Sequence, residues 1–310
     1  MFEVFKVKRA LPFMANARPW FALSLLAVVI SVAAIAVRGL NLGIDFTGGT
    51  VIEVSYPDPI EVNTVRQKLV TVDLGDAIVQ NFGTARDVLI RVPVKPGVTS
   101  AQLSETVLKA LREREPRVEM KRVEFVGPQV GAELLYDGLL AVVVVTLGIM
   151  GYLAVRFEWK FSVGAIAATF HDVIIIFGLF AIFQWNFDLT ALAAILAILG
   201  YSVNDTVVVF DRIRENFRKM RRGTVPEIID DAITNTLSRT ILTSGSTQLM
   251  VFAMLFFGGD ILYYFALALT IGIIVGCYSS IFVASTVTMW LGLSREDFIR
   301  PEKKQQEAQV

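Results

Sequence analysis

Several ingredients of catalytic and metal sites are nearly missing from this chain. Its 310 residues include one cysteine, Cys277, and one histidine, His171. No intrachain disulfide is possible, and no Cys/His metal cluster can be assembled. Cys277 reads as a small apolar packing residue. A Gly-rich phosphate loop with its lysine is missing too, since the two Gly-Gly pairs, Gly48-Gly49 and Gly258-Gly259, lack that motif. ATP-driven chemistry is disfavoured, no cofactor is implied, and the chain reads as a non-enzyme. The formal net charge is zero, so nothing marks nucleic acid as a partner. Charged residues make up only 19%.

Apolar residues are abundant instead, at 54% of the chain. They gather into six runs, roughly 20–37, 137–155, 161–183, 189–210, 240–257 and 261–292. Crossing the hydrocarbon core takes about 20 helical residues, and each run is long enough. The first run has a basic flank (Lys6, Lys8, Arg9, Arg18) and an Ala34-Ile35-Ala36 triplet, yet it is longer than the core of a signal peptide. It reads as a helix of the bundle.

Basic residues orient the bundle. They crowd the N-terminal tail, the 156–160 turn (Arg156, Lys160), the loop 211–239 (among them Arg212, Arg214, Arg218, Lys219, Arg221, Arg222 and Arg239) and the tail after 292 (Arg295, Arg300, Lys303, Lys304). The turns at 184–187 and 258–260 have none. Six crossings put all the basic segments on one side, which is then cytoplasmic. The expected layout is a cytoplasmic tail 1–19, a first helix 20–38, an outer domain 39–133, helices 2–6 across 134–292, and a cytoplasmic tail 293–310, with Pro301–Val310 as a polar disordered end. Arg38 is a mild exception to the charge rule.

The outer segment alternates between strand and helix patterns. Strands are expected at Thr50–Tyr56, Ala77–Phe82, Val88–Val92 and Val118–Val126. Helices are expected at Ile60–Val70 and Ser100–Arg114, the second capped by Ser100 or Ser104. The order βαββαβ predicts a ferredoxin-like α+β domain. It lacks a constellation for catalysis and reads as a docking or binding surface. Gly48-Gly49, ahead of the first strand, suggests a tight turn or a close backbone approach.

Polar residues inside apolar spans are functional candidates, because a charge at the bilayer centre is costly. Asn204-Asp205 lies in run 4, about five residues before its end at Phe210, with Tyr201 one turn back as a hydrogen-bond partner. His171-Asp172 lies ten residues into run 3, and imidazole titrates near neutral pH. Adjacent residues point about 100° apart on a helix, so the pair need not serve one site. Arg239 opens run 5, followed by a polar stripe at 240, 243, 244, 247 and 248. Such a stripe is expected to face inward. An acid that pairs with Arg239 when ionised and releases it when protonated would be a two-state element. Each charge crossing 100 mV yields about 2.3 kcal/mol. The bland readings are a snorkelling acid, a structural His–Asp pair and an interfacial arginine. Gly272, Gly276, Ser280 and Ala284 form a small-residue stripe suited to close helix packing.

Five segments resemble the SecD/SecF family: GIDFTGGT (43–50), VGPQVG (126–131), His171-Asp172, GYSVNDT (200–206) with VFDRIREN (209–216), and NTLSRT (235–240). The likeness covers roughly residues 20–292. It implies half of an RND-superfamily transporter, with six transmembrane helices and a ferredoxin-like periplasmic domain between helices 1 and 2, in the bacterial inner membrane. It implies SecD as partner in a heterodimer, and protein export through the SecYEG channel with SecA, driven by the proton-motive force. The exported cargo would be unfolded polypeptide. It places Asp205 and Arg239 on the proton pathway, with Asn204, His171 and Asp172 as further candidates and Asp45, Gly48 and Gly49 as signature residues. The residues alone leave two other readings open: a proton-driven exporter of small molecules or lipids, and an assembly factor that moves no protons.

Overall fold

The computed structural model describes residues 10–95, 97–220 and 222–298. The expected tail Pro301–Val310 and the basic residues Lys6, Lys8, Arg9, Arg221, Arg300, Lys303 and Lys304 lie outside them.

Among the described residues six helices are long and apolar enough to cross a membrane. The first is α1 (Ala17–Arg38), which follows a short turn of helix at Met14–Asn16. A two-residue strand β1 (Asn41–Leu42) and a single helical turn α2 (Ile44–Thr47) lead into the sheet domain. The domain runs β2 (Gly49–Ser55), α3 (Val62–Thr71), β3 (Ile78–Phe82), β4 (Thr84–Val92), α4 (Ser100–Arg112) and β5 (Glu119–Val126). Then come α5 (Pro128–Arg156), α6 (Trp159–Phe183), a two-residue strand β6 (Asn186–Phe187), α7 (Leu189–Lys219), α8 (Val225–Phe257) and α9 (Gly259–Ser279). A π-helical stretch, Ser280–Ala284, joins α9 to α10 (Ser285–Trp290).

The sheet is antiparallel in the order β3-β4-β2-β5, which is the ferredoxin-like arrangement expected from βαββαβ. Alternation along β2 and β4 sends Ile52, Val54, Val88 and Ile90 under the helices, where they meet Val65, Leu69, Val107 and Leu111. Two details differ from expectation. Strand β4 begins at Thr84, so the turn after β3 reduces to Gly83. The cap of α4 is Thr99, whose hydroxyl accepts from Gln102 N in a capping box, and neither Ser100 nor Ser104 takes that role.

In the bundle α6, α7 and α9 form the buried centre, while α1, α5 and α8 present broad apolar faces outward. In hydrocarbon those faces need no cover. The small-residue stripe packs inside this chain. A side chain at Gly272 would collide with Ile198, and one at Gly276 would press on Ser202, so α9 lies tight against α7. The helices are also longer than their apolar runs. α7 continues past Phe210 to Lys219 because Ile213, Asn216 and Phe217 keep one face buried. α8 starts at Val225, so the segment 211–239 is mostly helix. At 1.5 Å per residue α8 is about 50 Å long, more than the hydrocarbon thickness. Arg38 donates to Ile182 O at 2.6 Å, satisfying a carbonyl at the C-terminal end of α6.

Candidate proton-handling site

Asp205 is buried in the middle of α7. Its carboxylate meets neutral donors from two other helices. Ser244 Oγ on α8 donates to Oδ2 at 3.1 Å, and Cys277 Sγ on α9 stands 3.5 Å from the same oxygen. Tyr201 does not bond the acid directly. Its hydroxyl donates to Ser244 Oγ at 3.2 Å, one step removed. Cys277, read from sequence as a packing residue, is thus part of the acid's surroundings. Thr236, Thr240 and Ser280 line a narrow cleft that runs beside Asp205 between α7, α8 and the end of α9.

Asp172 on α6 anchors a second cluster, also buried. His171 Nδ1 lies 2.9 Å from Asp172 Oδ1, so the adjacent pair serves one site after all. Ser202 Oγ on α7 and Ser279 Oγ on α9 donate to Oδ2 at 2.5 and 2.9 Å. His171 Nε2 is buried without a hydrogen-bond partner. The clusters share α7 and α9. Ser202 and Asp205 are three residues apart, and Thr206 Oγ1 bonds Ser280 Oγ at 2.9 Å next to Ser279. Of these serines only Ser280 belongs to the small-residue stripe Gly272, Gly276, Ser280 and Ala284, and Ser202 and Ser279 carry no signal in the sequence.

Arg239 and Asn204 lie at the edge of this site, and the charge of Arg239 is near enough to act on Asp205 without touching it. Both are exposed on the outside of the bundle. Arg239 lies mid-way along α8 rather than at its start, and no ion pair joins it to Asp205 among the described residues. The polar stripe of α8 divides accordingly. Thr240 and Ser244 are buried, whereas Thr243 is exposed and bonds its own backbone at Arg239 O.

The signature residues form a joint between the sheet domain and the bundle. Asp45 Oδ2 accepts Leu189 N at 3.0 Å, holding the first turn of α7. Asp188 caps the same turn, accepting Ala191 N at 2.9 Å. Gly49 has φ +134°, and a Cβ there would stand 2.7 Å from Val92 O. A Cβ on Gly48 would meet Pro128 Cα at 2.8 Å, and one on Gly131 would meet Gly48 N at 2.8 Å. Only glycine lets the entry to the sheet domain lie against its exit into α5. Gly43 N donates to Phe187 O at 2.8 Å, extending the β1–β6 pair that ties this joint to the α6–α7 turn.

Six membrane helices, buried carboxylates in their core and an α+β domain rooted on the bundle define an integral membrane protein with ionisable groups held inside. Residues 33–56 match the SecD/SecF GG motif, and residues 106–294 match the family described as protein export membrane protein SecD/SecF, C-terminal. The chain belongs to the SecD/SecF family. It is similar to the protein translocase subunit SecF of Vibrio alginolyticus, with 44% identity over 310 residues, covering 100% of this chain and 98% of that protein. The corresponding subunit of Pseudomonas aeruginosa is 47% identical over 286 residues, covering 92% of each. The crystal structure of SecDF, a translocon-associated membrane protein from Thermus thermophilus, superposes with a TM-score of 0.84 at 36% identity. The match covers 93% of this chain and 39% of that one, so the chain spans about two fifths of the SecDF polypeptide.

Proposed function

We propose that this chain is a protein-export subunit that works with a SecD-type partner and couples proton entry at Asp205 to motion of the sheet domain. The observation that carries the reading is the placement of Asp205. It is a buried carboxylate on the central helix, faced by a hydroxyl and a thiol, with no cation in ion-pair reach among the described residues. Such an acid is free to take and release a proton as access to it changes. Ile233 and Thr236 line the small void beside it.

The partner is argued from polarity on the outside. Asn204 and Arg239 are exposed on α7 and α8, and a polar amide in the span of α7 is poorly suited to lipid. A second bundle covering this face would shelter Asn204 and bring its own groups beside Arg239. By the same reading the basic end of α7, the start of α8 and both termini are cytoplasmic, and the sheet domain is periplasmic. The working complex then assists an unfolded polypeptide leaving a SecYEG channel served by SecA.

Late-stage export of a preprotein in inverted vesicles, with and without a proton gradient, tests the reading. Wild type is expected to show a gradient-dependent component that Asp205→Asn lacks while still assembling with its partner. A mutant that responds fully to the gradient would make the acid structural.

A further inference from the structure

The helix-free face of the sheet does not lie flat on the bundle. Between them is a cavity of about 300 Å³, bordered on the sheet side by Val51, Leu89 and Arg91 together with the charged Glu53, Arg122 and Glu124, and on the other by Asp45, Asp188 and Tyr264. That is the lower end of the volume range of small-molecule pockets. Neither carboxylate of the bundle side is committed to Arg91. Asp45 Oδ2 takes Leu189 N, and Asp188 takes Ala191 N, Thr190 Oγ1 and Asn186 Nδ2.

Arg91 is only 5% exposed, and both terminal nitrogens of its guanidinium are buried with no hydrogen-bond partner. Burial pushes its pKa down, while Tyr264, Asp188 and Asp45 pull it back up through charge alone. A guanidinium withdrawn from water is stable only with acceptors, and its geometry matches two coplanar oxygens. Asn186 Oδ1, on the bundle wall beside Asp188, is a second buried polar atom without a partner and can accept an N–H.

We propose that this cavity binds the carboxylate of an amino-acid-like or peptide ligand, with Arg91 as its bidentate fork. The surroundings select against other anions. Asp45 and Asp188 border the same space, so a phosphate dianion is repelled, whereas an ammonium or amide N–H beside the carboxylate finds Asn186 Oδ1 and acidic neighbours. Nothing in the proton reading requires this site, which sits at the joint between Asp45 and the sheet.

Binding to the full-length protein in nanodiscs tests it, with triglycine, triglycine amide, an amidated tripeptide with a central Glu, free glycine and inorganic phosphate as probes. Triglycine or the Glu peptide is expected to bind saturably, with at least a tenfold loss in Arg91→Gln and partial retention in Arg91→Lys. A preference for triglycine assigns a C-terminal carboxylate, a preference for the Glu peptide assigns an acidic side chain, and glycine binding alone assigns a free amino acid. Equal binding of triglycine amide and triglycine, or phosphate binding tighter than any carboxylate, would overturn the proposal. The comparison of acid and amide probes needs no mutant, so misfolding of a variant does not leave the question open.

Discussion

Asp45 accepts the backbone N–H of Leu189 at 3.0 Å, across 144 residues of sequence. The residue that leads into the sheet domain therefore also holds the first turn of the helix that carries Asp205. In the proposed coupling, a displacement of α7 would reach the root of the domain through this hydrogen bond and the β1–β6 pair beside it. Asp45→Ala should loosen that turn by about 1 kcal/mol, the usual size of an N-terminal cap. Faster amide exchange at Leu189 and Thr190, with unchanged exchange around Asp205, is the expected result. Unaltered exchange at Leu189 would mean that the link is not a restraint.

The glycines of the joint are a matter of space. Gly131→Ala places a methyl group against Gly48 N, and Gly49→Ala adds an unfavourable positive φ to a collision with Val92 O. Each should cost about 1–3 kcal/mol. Gly148→Ala, where nothing lies within 4 Å, should be neutral in the same thermal-unfolding assay.

Much of this architecture is legible in the sequence, because period and run length are local properties. The βαββαβ order and six apolar runs follow from them. Helix ends were harder to place. α7 runs beyond Phe210 because its last turns are amphipathic, and an apolarity criterion stops where alternation of Ile213, Asn216 and Phe217 begins. The cap of α4 falls one residue before the serine that composition favours. In the site, Asp205 and the His171-Asp172 pair were visible as charges in oil. Their partners Ser202, Ser244, Ser279 and Cys277 come from other helices, so only packing reveals them. Arg239 was expected to face Asp205, since both border one loop. The rotation of α8 leaves the Arg239 side chain exposed and out of ion-pair contact, though its charge still acts on the acid. Arg91 gave no signal, being one basic residue in an ordinary strand.

Asp172 depends on its hydroxyl donors. Ser279→Ala should cost about 1.5–3 kcal/mol, the range for a hydrogen bond to a charged group. Ser246→Ala, exposed and bonded only to Thr243 O, should change stability by less than about 0.5 kcal/mol. Thermal unfolding of the two variants in one detergent checks the contrast, and equal losses would contradict it.

Acid should weaken the sheet domain through Asp87. Partial burial works against its charge, but hydrogen bonds from Lys121, Ser55 and Thr84 outweigh it and bring the pKa down to about 2. A depressed carboxylate contributes stability that is fully present above its unfolded value of about 3.8 and is lost as pH falls through about 2. The contribution is on the order of 2 kcal/mol. The stability difference between wild type and Asp87→Asn should therefore be constant above about pH 4 and shrink below it. A difference that stays constant down to pH 2 would show that Asp87 is not the group responsible.

The protonation state of Asp205 itself is the quantity on which the account turns. Infrared difference spectra between acidic and alkaline baths, recorded on the chain reconstituted with its SecD-type partner, report carboxyl protonation directly. A protonated-carboxyl band that appears in wild type and vanishes in Asp205→Asn, with the Asp172→Asn spectrum keeping it, is the predicted result. An unchanged band in Asp205→Asn would mean that the acid on α7 does not exchange its proton, and the coupling proposed here would fall.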